Sequence, residues 1–206
     1  MINSRKELQF YLMADRMMNR GTFKITLMQR LKRVIVPDLI MKYLYHMRKT
    51  SYYMSRNSFV KKFIGLYHMS RYKRLGIRLG FSIGYDVFGY GLVVPHHGTI
   101  VVGASNRIGN YAVLHTSTCI SDNNKVVGNG LYLSTGAKMT STIVLGDNVS
   151  VAANSVVNKS YEDGNCLIAG APAVFKKAEV AWYNRDGEYY TNVVNKCELL
   201  KKEMGL

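Results

Sequence analysis

From Val127 to Lys159 the chain divides into sixes: VGNGLY, LSTGAK, MTSTIV, LGDNVS, VAANSV and the opening of a sixth, VNKS. Every sixth residue is aliphatic or Met (Val127, Leu133, Met139, Leu145, Val151, Val157), and the residue after each is small or turn-prone (Gly128, Ser134, Thr140, Gly146, Ala152, Asn158). A period of six suits neither an α-helix nor an amphipathic strand sustained over this length. It predicts a triangular parallel β-helix, in which each hexad makes a short strand and a corner and three hexads close one coil. The aliphatic residue points inward and stacks on the residue eighteen positions later.

The hexad phase also runs upstream. The inward positions expected there are Ser82, Phe88, Val94 and Ile100, then, after a two-residue slip near Ser105, Ile108, Leu114 and Ile120. One more residue enters at Asp122–Lys125. Slips of this kind mark loops that leave the wall, where sites collect. After Lys159, YEDGNCLIAGAPAVFKK closes the open end with a tight turn at Gly170-Ala171-Pro172-Ala173. The tail from Ala178 carries Trp182 and a short predicted helix, Thr191 to Met204, which reads as a cap or a subunit contact.

The charge of +15 is concentrated before these repeats. Residues 1–80 hold 18 Lys or Arg against Glu7, Asp15 and Asp38, whereas residues 81–206 are balanced. That break separates a basic helical segment, 1–78, from a β-helix domain, 79–177, and a C-terminal extension, 178–206. The expected class is α+β.

Ser4 and Glu7 have the spacing of a capping box. Gly21 ends the helix they open, and a second is predicted over Phe23–Ile35. Pro37 suits the first position of a third, with Ile40, Tyr43, Leu44 and Met47 on its buried face. A fourth is predicted from about Ser58 to Arg74, burying Phe59, Phe63, Leu66, Tyr67 and Tyr72 and stopped by Gly76. The aromatic faces, Tyr52, Tyr53, Phe63 and Tyr67, read as core or subunit contact.

Three readings of the basic surface stay open: a solvated face, contact with an anionic membrane or acidic partner, and nucleic acid. The last is disfavoured because no base-reading motif accompanies the charge. No apolar run reaches the length of a membrane span, and the N-terminus shows no signal-peptide pattern. Cys119, Cys166 and Cys197 have no framework spacing. A cytoplasmic protein, at most peripheral to the inner face of a membrane, is expected.

Chemistry in the repeats rests on His96, His97 and His115. An imidazole titrates near neutral pH and can take a proton from a hydroxyl. Adjacent His96 and His97 cannot both face the same way on a strand or corner. On residues alone, either is also an ordinary surface residue.

The motifs LVVPHHGTIVVGASNRIGN, LSTGAKMTSTIVLGDNVSVAANSVVNK and IAGAPA, in that order, resemble the left-handed β-helix (hexapeptide-repeat) acyltransferases over residues 75–177. The serine acetyltransferase and capsular-polysaccharide O-acetyltransferase branch is nearest. The resemblance implies a homotrimer with acetyl-CoA in the groove between neighbouring β-helices, and a histidine base at His96 that deprotonates the acceptor hydroxyl for direct attack on the thioester. Cofactor contacts carry over to Ser134, Thr135, Ala152 and Ala153, and to Gly170, Ala171 and Pro172 near the nucleotide. Lys159, Lys176 and Lys177 are candidate phosphate partners, since an ammonium serves as a point charge.

Two departures bear on the acceptor. The carboxylate that serine acetyltransferases place about fifteen residues before the base falls here on Phe81 or Ser82, leaving Asp86 as the nearest substitute. The second substrate-side histidine has no match in SDNNKVV. With His97, His115, Ser82 and Asp86 as possible substrate-side residues, a hydroxyl of a sugar or polysaccharide precursor becomes the expected acceptor, and serine the alternative. No metal is expected, because His96, His97 and His115 lack the spacing of a shared zinc site. A non-catalytic scaffold is the remaining alternative.

Overall fold

The computed structural model describes residues 2–185 and 187–206. Four helices come first: α1 (Arg5–Arg20), α2 (Leu27–Ile35), α3 (Leu39–Met54) and α4 (Phe59–Leu79). Five coils of parallel β-helix follow. The first contains β1 (Phe81–Ile83); the second β2 (Ile100–Val102), β3 (Arg107–Ile108) and β4 (Val113–Leu114); the third β5 (Thr118–Ile120), β6 (Val126–Val127) and β7 (Tyr132–Leu133). The fourth holds β8 (Lys138–Met139), β9 (Val144–Leu145) and β10 (Val149–Val151), and the fifth β11 (Val156–Val157) and β12 (Cys166–Gly170). β13 (Ala173–Ala178) turns back antiparallel on β12, and α5 (Glu188–Glu203) ends the ordered elements.

The strands form three walls, here A (β1-β2-β5-β8-β11), B (β3-β6-β9) and C (β4-β7-β10-β12-β13). Register stacks one inward column on each. Wall A carries Ile83–Val102–Ile120–Met139–Val157. Wall B carries Phe88–Ile108–Val127–Leu145–Tyr161. Wall C carries Val94–Leu114–Leu133–Val151–Ile168, its lowest rung set by the bridge of Val93 to Val113. Each fully buried aliphatic side chain in such a column contributes about 1.5–3 kcal/mol. The hexads therefore fold as their period predicts from Val127 onward.

Upstream, two expected positions move. Ser82 faces out, and Ile83 takes the inward place. Ile100 is buried, yet the column residue is Val102, which pairs with Ile83 and Ile120. The extra residues consequently lie before Ile100 and not near Ser105. The slip at Asp122–Lys125 stays where the spacing puts it. There Asp122 Oδ1 accepts from the Ser105 amide (2.7 Å), Ser105 Oγ from the Asn124 amide (2.9 Å), and Asn106 Oδ1 from the Lys125 amide (3.0 Å). The buried Lys125 donates to Ser121 O and Oγ, both at 2.8 Å. This loop satisfies its own polar groups.

The corner between walls B and C is stitched by side chains. Asn110 Oδ1 accepts from the Tyr90 amide, Asn129 Oδ1 from the Asn110 amide, and Asp147 Oδ1 from the Asn129 amide (3.1, 2.9 and 2.6 Å). Each coil thus supplies the acceptor for the coil beneath it.

In the helical segment the Ser4–Glu7 capping box forms and Gly21 ends α1 in the left-handed region. The second helix is shorter than expected, because Thr26 and Gln29 make a capping box of their own. Pro37 lies before α3 and not at its first position: Asp38 is the N-cap, and its Oδ1 receives the Met41 amide (3.1 Å). α4 runs past Gly76 to Leu79, and Gly80 (φ 80°) is its stop. Gly76 serves close packing instead: a Cβ there would lie 2.6 Å from Phe81 O.

The buried face of α4 differs from the expected one. Gly65, His68, Tyr72, Leu75, Gly76 and Leu79 are buried, while Phe59, Phe63, Leu66 and Tyr67 are exposed. The helix has two apolar stripes, and α3 takes the one with the glycines. A Cβ on Gly65 would sit 2.8 Å from Met54 Sδ and 3.2 Å from Tyr53 Cβ, so a larger residue there makes these side chains shift. Tyr52 and Tyr53 are half-buried; Tyr53 stacks on His68.

An ion pair joins helices to solenoid. Arg48 donates to both oxygens of Asp15 (2.8 and 3.0 Å) and to the carbonyls of Phe88 and Gly89 (2.6 Å each), while Asp15 also receives the Leu92 amide (3.0 Å). Both side chains are buried. At the other end of the chain, Trp182 donates to Tyr111 O (2.8 Å), and Glu198 accepts from the hydroxyls of Tyr90 and Tyr111 (2.9 and 2.5 Å). The tail thereby clamps the lower part of wall C together with α1, and its helix starts earlier than expected, at Glu188.

Candidate active site

The corner leading from wall C to wall A brings most of the expected site residues together. Its backbone rungs are continuous: His115 N to Leu133 O, Ser134 N to Val151 O, Ala152 N to Ile168 O, Gly136 N to Thr116 O, and Asn154 N to Thr135 O. One row of side chains is therefore His115, Ser134, Ala152, Ala169; beside it run Thr116, Thr135, Ala153 and Gly170. Above His115 the rows are small and half-exposed or exposed, so a linear ligand can approach the backbone along them.

At the bottom of this corner the chain bulges. Three residues separate Leu114 from Thr118, but five, Pro95–Thr99, separate Val94 from Ile100 in the coil below. Gly98 lies under Thr116, whose Cγ2 would be 3.1 Å from a Cβ there. The excess is His96 and His97, both exposed. Among the described residues neither ring has a side-chain hydrogen bond. Both ends of the bulge are pinned from below. Asn19 Oδ1 accepts from Val94 N (3.0 Å), Asn19 Nδ2 donates to Leu92 O (2.7 Å), and Leu79 O accepts from Gly98 N (2.9 Å).

His115 stands one coil higher and close enough to feel the charge of His96. Burial, and secondarily that charge, hold its pKa below the usual histidine value. Its Nε2 is 2.8 Å from the Tyr132 hydroxyl, and the Tyr132 ring is flanked by Arg185 (4.9 Å) and Trp182 (6.1 Å). A neutral imidazole bonded to a phenol beside two free imidazoles can orient a hydroxyl-bearing molecule without placing a full charge on it.

Ser82 and Asp86 lie elsewhere. Ser82 is on the outer face of wall A. Asp86 occupies the corner from wall A to wall B, where Ser51 of α3 donates to it at 2.8 Å. Neither shares the corner of His96, and Phe81 is buried against Tyr43.

At the top, Gly170-Ala171-Pro172-Ala173 forms the β12–β13 turn, exposed at its first three residues and buried at Ala173, with a cis bond before Pro172 and the Gly170 amide on Ser155 Oγ (3.1 Å). Lys176 is exposed at the bulge where Leu167 pairs with Lys177 and Ile168 with Phe175. Lys177 pairs with Glu179 (3.3 Å). Lys159 lies over Tyr161 (5.5 Å), whose hydroxyl reaches Ala173 O (2.8 Å), which brings Lys159 to the same end. Among the described residues no group of three or more His, Cys, Asp or Glu is arranged to hold a metal.

Sequence reasoning missed Asn19 and Tyr132. An Asn near the end of an amphipathic helix carries no mark of its partner, and Tyr132 occupies an outward strand position that the hexad period leaves unspecified.

No family model matches the chain. A serine acetyltransferase of Synechococcus elongatus is 26% identical over 91 residues, 41% of this chain and 37% of that relative, so the chain spans well under two thirds of its length in the match. In fold, the chain is similar to the serine acetyltransferase of Brucella abortus, with a TM-score of 0.60, 19% identity, and coverage of 84% of this chain and 69% of that one. A serine acetyltransferase in complex with CoA gives 0.59 and 21%, covering 82% and 68%. Helices followed by a left-handed parallel β-helix are the architecture common to these proteins and this chain.

Proposed function

We propose that the chain is an acetyl-CoA-dependent O-acetyltransferase with His96 as its base. The observation that carries this reading is the corner between walls C and A, where two exposed imidazoles begin a column of small side chains that ends at the Gly170–Ala173 turn. In the proposed reaction, His96 accepts the proton of an acceptor hydroxyl as its oxygen attacks the thioester carbonyl carbon. The tetrahedral oxyanion collapses, the C–S bond breaks, and the thiolate leaves as CoA after recovering the proton from the imidazolium. Products are an acetyl ester and free CoA.

In this reading the acetyl-pantetheine arm lies along Ser134, Thr135, Ala152 and Ala153. Gly170, Ala171 and Pro172 meet the nucleotide end, and Lys159 and Lys176 face its phosphates as point charges. A serine acetyltransferase of similar fold is known in complex with CoA, which supports acetyl-CoA as the co-substrate.

For the acceptor, the names of the relatives support serine, which is the first reading. A sugar hydroxyl is the second. It is favoured by Phe81 and Ser82 at the place of the family's orienting carboxylate, and by a loop, SDNNKVV, without histidine.

The groove needs a second wall, so a homotrimer is part of the proposal. The outer faces of walls A and B offer exposed Val101, Val126 and Val144, whereas the lower part of wall C is covered by the chain's own tail. A single-chain mass in light scattering at micromolar protein counts against it.

The deciding experiment is thiol release from acetyl-CoA with serine, a panel of sugars and sugar nucleotides as acceptors, and His96→Ala as control. Release with serine selects the first acceptor and release with a sugar the second. No release with any acceptor, together with no acetyl-CoA binding in calorimetry, overturns the enzyme reading.

A further inference from the structure

The helical segment leaves an unusual amount of apolar surface uncovered. On α2, Leu27, Met28, Leu31, Val34 and Ile35 are 63–84% exposed. Their spacing of i, i+1, i+4, i+7 and i+8 puts them on one stripe of the helix. On α4 the exposed stripe includes Phe59 (83%), Phe63 (69%) and Leu66 (51%). A helix that shows its apolar side to water this fully is held for something else to cover.

The charge on these helices identifies the partner. LMQRLKRVI in α2 has three basic residues and no acidic one, and α4 has Lys61, Lys62, Arg71, Lys73, Arg74 and Arg78, again without an acid. The acids of the segment are already engaged. Glu7 closes the α1 capping box, Asp15 is buried against Arg48, and Asp38 pairs with Arg20 at 2.8 Å. If two copies met through α2 or α4, lysines and arginines would face lysines and arginines with no carboxylate on either helix to pair them. An anionic surface removes that conflict and takes the apolar stripe as well.

The segment leading into α2 points the same way. Phe23 and Ile25 line an open cavity of about 470 Å³ whose other walls include Leu12, Met13 and Met41, with Lys42 also on its lining. Asp15 and Asp38 line it too, their charges already met by Arg48 and Arg20, and the remaining apolar wall suits an acyl chain.

We propose that α2, together with the exposed stripe of α4, docks the protein on the surface of an anionic lipid bilayer. α2 lies in the interface with Leu31 and Val34 among the acyl chains, and Lys32, Lys61 and Lys62 stay at the headgroups, as amphipathic interfacial helices do. No helix among the described residues is long and apolar enough to cross the bilayer, so the attachment is peripheral. Each basic residue near such a surface adds to the attraction, which weakens as salt shortens the Debye length.

The test is flotation of the whole protein with vesicles of phosphatidylcholine alone or mixed with phosphatidylglycerol, over a salt series. Binding to the mixed vesicles, weakened by salt and far lower on phosphatidylcholine, is expected. Leu31→Asp with Val34→Asp removes two inserted side chains and lowers binding by about tenfold or more. Lys61→Glu with Lys62→Glu lowers it without touching the apolar stripe. Both pairs are exposed, so thermal melts should be unchanged. Should the Leu31/Val34 pair fail to fold, the lysine pair decides alone. Equal binding to both vesicle types, or none to either, overturns the proposal. So does a smaller light-scattering mass in the Leu31/Val34 variant with vesicle binding intact, because the stripe would then belong to a second copy. No acetyl transfer enters the readout, so either outcome leaves the acetyltransferase reading standing.

Discussion

Asn19 on α1 receives the backbone N–H of Val94 on its side-chain oxygen at 3.0 Å, two residues before His96. Two residues after it, Gly98 is tied to Leu79 at the end of α4. The basic helices are therefore the mounting of the proposed base, besides being its neighbours in sequence.

Asn19→Ala should lower kcat more than it raises KM for acetyl-CoA, because the groove above is untouched while the His96 bulge loses its lower tie. Leaving buried backbone groups unpartnered also costs about 1–3 kcal/mol of stability. Steady-state kinetics with a thermal melt check both. Wild-type kcat in a destabilised variant would detach the bulge from the tie.

His96→Ala should remove turnover by about 10²–10⁴-fold, the usual worth of a general base, with acetyl-CoA affinity kept. His97→Ala should cost less. Full activity in the first and none in the second assigns the base to the other ring.

Much of this molecule was legible in its sequence, for a physical reason. A hexad fixes the side-chain direction at every corner, so the columns from Val127 to Val157 followed from period alone, and the turn at Pro172 from its small residues and proline. The phase was lost only at Ser82 and Ile100, on wall A, because the first coil rests on helices and not on another coil. Helical packing lets Ile83 replace Ser82 inside and lets the chain spend two extra residues at His96 and His97. The exposed stripe of α4 was misread because it is the more aromatic of two. Two glycines decide which stripe α3 covers, and glycine does not register as apolar weight. Asp86 appeared as a partner for His96 by counting along the chain, whereas the solenoid places ten residues nearly two walls apart.

Arg48→Met leaves Asp15 buried without its cation and strips the Phe88 and Gly89 carbonyls of their donor. A loss of about 3–5 kcal/mol is expected, measured by chemical denaturation. Asp15→Leu combined with Arg48→Met should recover part of it, because no uncompensated charge then remains.

Stability should also depend on pH through His46 and His68. Their Nδ1 atoms are 2.8 Å apart between α3 and α4, and burial pushes the pKa of both down, His68 to about 4. The unfolded chain then binds more protons than the native one below the ordinary histidine value. Stability is full above about pH 6.5 and declines as pH falls from there toward 4. Denaturation at stepped pH should show this slope, and His68→Phe should flatten it.

Pro172→Asp should weaken acetyl-CoA binding more than it weakens the fold, since the turn is exposed and the change sets a negative charge where phosphates are proposed. Gly170→Trp is the harsher variant, because Gly170 has φ 110° and a side chain there is strained as well. Unchanged affinity by calorimetry for Pro172→Asp would move the nucleotide elsewhere.

The reversal of β13 settles a further matter, the length of the object itself. Every coil offers the next a row of parallel hydrogen-bonding groups, and a row left bare would recruit another chain and grow into a fibre. On wall C the last row is consumed by a strand running the wrong way, with Lys176 and Lys177 along it, so the solenoid offers no template there for a sixth coil. A chain deprived of residues 171–178 would keep its coils and lose its terminator.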